Sequence, residues 1–209
     1  MKAHTKETQA AMTPSLALQE LKEGNVRFQN SVKAERNLME QVGDTSGGQF
    51  PFATVLSCID SRVSSELIFD QGIGDIFSVR IAGNFVNEDI LGSMEFACKL
   101  AGTKLLVVLG HTACGAVKGA CDHAEMGNLT KLIEKITPAV NAVTTPEDAS
   151  SRTSANIEFV NNVAEMNVNM TIDRIVAESS ILAEMQNNGE IKILGGMYDI
   201  NTGSVQFFE

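Results

Sequence analysis

The sequence predicts an α/β fold, a central and mainly parallel β-sheet flanked by helices. Three observations predict it. Short apolar, β-branched runs recur without polar alternation, as in strands buried on both faces. Helical patterns separate those runs, so the strands are joined by crossovers. The chain has 209 residues and 44% hydrophobic content, enough for one core.

The elements follow in chain order. Residues 1–12 are polar and read as a flexible N-terminal tail, leaving 13–209 as a single domain. Thr13-Pro14 is an N-cap followed by proline at the first helical position, and Leu16, Leu18, Leu21, Val26 and Phe28 mark an apolar face up to about Asn30. A polar, glycine-bearing stretch from Gly43 to Gln49 ends that region. "FATVLS" (52–57), "IFSVRI" (76–81), "KLLVVLG" (104–110) and "IKILGGMYD" (191–199) read as buried parallel strands. "SVQFFE" (204–209) adds a hairpin strand after the turn Asn201-Thr202-Gly203. Between them, residues 87–102 begin acidic and end at a glycine, as a helix does. Residues 113–124 and 129–136 read as two more helices, and 144–154 as a loop. Residues 154–189 form one long or two abutting helices, broken by asparagines and ending at Asn188-Gly189.

Composition excludes several classes of function. A formal charge of −10 and a pI near 4.8 repel phosphates, so neither nucleic acid nor an anionic membrane surface is an expected partner. No apolar run approaches the roughly 18 residues of a membrane span, and the N-terminus lacks a continuous signal-like apolar segment. Four cysteines in so long a chain do not suggest a disulfide scaffold; reduced thiols in a cytoplasmic setting are expected.

Ligands in open α/β sheets bind beyond the carboxyl ends of strands. Cys58-Ile59-Asp60-Ser61-Arg62 follows one apolar run, and "GHTACG" (110–115) follows another. If those strands are neighbours, Cys58, His111 and Cys114 can converge on one ion. Two thiolates and an imidazole suit zinc, with a fourth position left open. The alternatives are a buried small cysteine, a structural histidine and a surface ion pair. "GHTACGAVKG" is no P-loop, because Ala116-Val117 stands where Lys and Ser/Thr are required. No C-x-x-C exists, and Cys98, Cys121, His4 and His123 have no partner pattern around them.

The paired C-x-D-x-R and H-x-x-C motifs resemble those of the β-class carbonic anhydrases. The likeness extends to "LQELKEGNVRF" (18–28), "ELIFDQGIGDIFSVRIAGN" (66–84), "GSMEFA" (92–97), "GHTACGAVKGA" (110–120) and "GGMYDINTG" (195–203). The resemblance implies reversible hydration of carbon dioxide to bicarbonate by a catalytic domain over 13–209, with hydroxide generated on zinc as nucleophile. It implies one Zn2+ per chain on Cys58, His111 and Cys114, a catalytic dyad of Asp60 and Arg62, and a homodimer or homotetramer. Gln49, Phe77, Ala82 and Phe96 match substrate-pocket positions, some contributed by a neighbouring subunit, and backbone amides at Gly115 suit bicarbonate. Gln49, together with Val55 in place of a tryptophan, favours the plant-like subgroup. Hydrolysis of CS2 or COS on the same scaffold, or a non-catalytic zinc-binding module, are the competing readings.

Overall fold

The computed structural model describes residues 1–208; Glu209, the last residue of the strand expected over 204–209, lies outside the described residues. Helices α1 (Lys6–Ala10), α2 (Pro14–Gln29) and α3 (Leu38–Thr45) precede strand β1 (Ala53–Ser57). A short helix α4 (Ser65–Ile68) leads to β2 (Ile76–Arg80), then α5 (Glu88–Glu95), which runs into a π-helical turn over Phe96–Leu100. Strand β3 (Leu105–His111) is followed by α6 (Gly115–Cys121), α7 (Gly127–Ile133), α8 (Thr137–Ala142), α9 (Ile157–Glu178) and α10 (Ser180–Asn187). Strands β4 (Lys192–Tyr198) and β5 (Val205–Phe207) close the chain.

Among the described residues, five strands lie in the order β2-β1-β3-β4-β5. The first three pairings are parallel, and β4–β5 is the antiparallel hairpin. Every residue of β1 and β3 is buried, which explains their unbroken apolar sequences. Their side chains still alternate between faces. Leu105, Val107 and Leu109 pack with Ala17, Leu18 and Leu21 of α2, whereas Leu106 and Val108 pack with Val168, Ile175 and Leu182 of α9 and α10. No described helix is long and apolar enough to cross a membrane.

Several expectations need correction. Strand β2 is not buried like the others: it is the sheet's edge, with Ser78 and Arg80 exposed. The stretch expected as a flexible tail contains α1, capped by reciprocal Thr5–Thr8 bonds. Gln9 of α1 is buried because its amide donates to the carbonyls of Pro51 and Ala101 at 2.7 and 2.8 Å. On α2 the buried stripe is Ala17, Leu18, Leu21, Gly24 and Asn25, which leaves Leu16 and Val26 exposed. Helices α3, α4 and α8 lie outside the sequence expectation; each has eight residues or fewer, too few to display a period.

Gly24 shows how tightly α2 is seated. A Cβ there would lie 1.8 Å from the carbonyl oxygen of Phe69, a backbone atom that cannot swing aside. Gly24→Ala should therefore lower the unfolding free energy by about 3 kcal/mol, at the upper end for overpacking. Urea denaturation measures it, and an unchanged midpoint would show that α2 can shift freely.

Candidate metal centre

β1 and β3 run side by side with Ser57 opposite Leu109, so their carboxyl ends coincide. Cys58 is the first residue beyond β1, and His111 is the last of β3. Thr112 and Ala113 turn the chain so that Cys114 becomes the N-cap of α6. The turn depends on Ala113 adopting a left-handed conformation, φ 53°, with its amide donating to Asn161 Oδ1 at 2.9 Å. The three side chains are buried and place two sulfurs and one imidazole nitrogen within 4.8 Å of one another.

The hydrogen bonding of His111 tests whether a cation fits. Its Nδ1 lies 3.0 Å from the Thr112 carbonyl, which can only accept, so Nδ1 carries the proton. Nε2 is then a bare lone pair, buried and without a hydrogen-bond partner among the described residues. An orphaned buried acceptor is costly, by about 1–3 kcal/mol, unless something electron-poor completes it. The two sulfurs are 3.9 Å apart, far beyond a disulfide, and all four cysteines are free. The Cys114 thiol holds Cys58 well below the ordinary cysteine range, and the same contact with burial pushes Cys114 up. The Gly83 amide also donates to Cys58 Sγ at 3.4 Å. The donor set is therefore one that a soft divalent cation completes.

Asp60 stands beside this cluster and is gripped from one side. Arg62 Nε and Nη2 donate to its two oxygens at 2.9 and 2.7 Å, and the Arg62 backbone amide adds a third bond at 3.0 Å. The Arg62 side chain holds the Asp60 carboxyl far below the usual carboxylate range. Asp60 Oδ2 lies 3.9 Å from His111 Nε2. Arg80 fixes the backbone of this turn, donating to the carbonyls of Cys58 and Asp60 at 3.0 and 2.7 Å.

The structure thus gathers Cys58, Asp60, Arg62, His111 and Cys114, with Gly115 directly following Cys114, while the expected pocket residues Phe77 and Phe96 line a different cleft. Phe77 and Phe96 meet edge to face at 6.3 Å. They line an open cleft of about 750 Å3 along β2 and α5, with Arg80, Glu88 and Asp89 but without the cysteines or His111. Ala82 is half-buried, and Gln49 and Gly115 are exposed. Sequence reasoning missed Arg80, Gly83, Asn161 and Asn167, which touch the site through backbone groups.

Fold and side chains together define an α/β protein whose described residues include a soft-ligand cluster at the strand ends able to hold a metal ion. Residues 53–205 match the family model for carbonic anhydrase. Carbonic anhydrase 2 of Mycobacterium tuberculosis is 34% identical over 196 residues, covering 91% of this chain and 90% of the relative. The crystal structure of a β-carbonic anhydrase from Aspergillus fumigatus matches with a TM-score of 0.72 at 26% identity, covering 93% and 90% of the two chains. One of two tetrameric β-carbonic anhydrases of Sordaria macrospora shares the fold, with a TM-score of 0.69 at 22% identity over 93% of this chain and 94% of that one. The chain belongs to the carbonic anhydrase family, in its β class.

Proposed function

We propose that the chain catalyses the reversible hydration of carbon dioxide at one zinc ion held by Cys58, His111 and Cys114. One observation carries the reading: the buried, unpartnered His111 Nε2 faces two thiols beside a carboxylate that Arg62 restrains. Zinc, when bound, polarises water so that hydroxide is available near neutral pH.

The chain's own residues supply the rest. The Thr112 carbonyl fixes the His111 tautomer, so Nε2 is the ligand atom. Asp60, its carboxyl held below the usual range by Arg62, is ionised near neutral pH and is then an acceptor only, able to orient a water by taking one of its protons in a hydrogen bond. Arg62 occupies both Asp60 oxygens and keeps that carboxylate from becoming a fourth ligand. Gly115 opens α6 beside Cys114, and among the described residues no heavy atom beyond its chain neighbours and its own helix stands within 4 Å of where its Cβ would be, which leaves space for bicarbonate.

A second copy of the chain completes the pocket in this reading. The exposed edge of β2 and the π-helical turn that Phe96 brings against it, where Phe96 is 49% and Leu100 77% exposed, suit burial against another subunit. A homodimer or tetramer then brings Gln49, Phe77, Ala82 and Phe96 toward a metal centre. Four free thiols agree with a cytoplasmic location.

Zinc analysis combined with stopped-flow carbon dioxide hydration tests the proposal. One zinc per chain with rapid hydration is expected. Bound zinc with COS or CS2 turnover and no hydration would reassign the substrate, and bound zinc with none of these activities would leave only a binding module.

A further inference from the structure

We propose that Asn161 and Asn167 of α9 are positioning residues for the metal centre, each holding one of its two cysteine arms. The inference rests on the zinc reading above and concerns residues far from the ligand motifs in sequence.

Asn167 is only 3% exposed and sits on the stripe that α9 buries, between Val163 and Thr171. An amide in such a stripe needs partners, and its Nδ2 donates to the Gly83 carbonyl at 2.8 Å. Gly83 has φ +79°, a conformation that favours glycine, inside a turn that the Asn84 amide closes by donating to the Ile81 carbonyl at 3.0 Å, so its backbone is held. The same residue's N–H donates to Cys58 Sγ. Pinning the Gly83 carbonyl therefore aims its amide at the sulfur. Asn161 acts on the other arm. Its Oδ1 accepts from Ala113, the left-handed residue that joins His111 to Cys114. Left-handed backbone is uphill for a residue with a Cβ, and this bond holds it there. One helix thus fixes both arms, six residues apart along its length.

The partners dictate opposite polarities. Ala113 N–H only donates, so Asn161 must present oxygen; the Gly83 carbonyl only accepts, so Asn167 must present nitrogen. The same isosteric change should then have opposite consequences. Asn161→Asp retains the acceptor, whereas Asn167→Asp loses the donor.

Four variants of the full chain decide the matter: Asn161→Asp, Asn161→Leu, Asn167→Asp and Asn167→Leu. Zinc affinity is read by chelator competition, and site geometry by the thiolate-to-cobalt charge-transfer bands of the Co2+-substituted protein. Thermal melts of the metal-free forms separate folding from metal binding. Asn161→Asp should bind zinc within about threefold of wild type, and the other three should lose about 10–100-fold with altered bands, as outer-shell changes do. Equal affinity and unchanged cobalt spectra in all four would overturn the inference, as would Asn161→Asp and Asn167→Asp behaving alike. If Asn167→Asp does not fold, the leucine variant and the half-buried Asn161 pair carry the same test. A wild-type chain that binds no zinc overturns the metal reading itself, whereas tight wild-type binding with indifferent variants overturns only this one.

Discussion

Arg62→Ala should lower carbon dioxide hydration about 100-fold while one zinc per chain is retained, because misplacing a catalytic group by an ångström costs on that order. The variant loses two of the three bonds that hold Asp60, Nε to Oδ1 and Nη2 to Oδ2. The backbone amide bond to Oδ1 survives, so the carboxylate stays nearby with Oδ2 released. Oδ2 lies 3.9 Å from His111 Nε2, close enough for a small rotation to carry it toward an ion bound there. Activity then falls because the carboxylate competes for the open position, while the ligands remain. The competing account is an ordinary surface ion pair, since Arg62 is 51% exposed and such pairs contribute about 0–1 kcal/mol. That account agrees that the melting temperature barely moves; it differs in predicting normal turnover. Arg62→Lys should recover only part of the rate, because an ammonium cannot grip both oxygens in one plane. Stopped-flow assays with metal analysis check this: unchanged turnover removes Arg62 from the mechanism, and lost zinc makes it a guardian of the ligands instead.

The sequence revealed most where one physical demand dominates. β1 and β3 are buried on both faces, so their apolar runs have no other reading. The helical stretch up to Asn188-Gly189 was visible, but its pattern leaves open the division into α9 and α10; Ser179, which caps the second helix, makes the break. The edge position of β2 was not visible, since its apolar run Ile76, Phe77 and Val79 resembles those of the buried strands although these residues are only half-buried. Nor was α3, whose N-cap Asn37 lies in a stretch with little apolar pattern. The convergence of Cys58, His111 and Cys114 was legible because adjacent parallel strands end at the same level, and local spacing then places Cys114. The supports were illegible for the opposite reason: Asn167 and Gly83 are 84 residues apart and meet through a backbone carbonyl. The available signal was an asparagine on the buried stripe of α9, a polar group that a core tolerates only when it has a partner.

Cys58→Ser should abolish metal retention and hydration together, without harming the metal-free fold. Serine is close to cysteine in size, and its oxygen can still accept from the Gly83 amide that now reaches Sγ. What it cannot supply is a thiolate, the ligand that a soft cation requires. The two sulfurs lie 3.9 Å apart, with Cys58 held toward thiolate and Cys114 pushed toward thiol. Binding a cation must then displace the Cys114 proton, so apparent affinity should rise with pH, by up to about tenfold per unit where one proton is released. Bound metal also stabilises the native state: at a free concentration 1,000 times Kd the gain is about 4 kcal/mol. Wild type stripped by a chelator should therefore melt lower than the loaded protein and recover when zinc is restored. Cys58→Ser should melt near the stripped wild type and respond to neither treatment. A serine variant that keeps full zinc would remove Cys58 from the ligand set. One that unfolds without metal, while stripped wild type does not, would make the Cys58–Cys114 contact a structural bond in its own right.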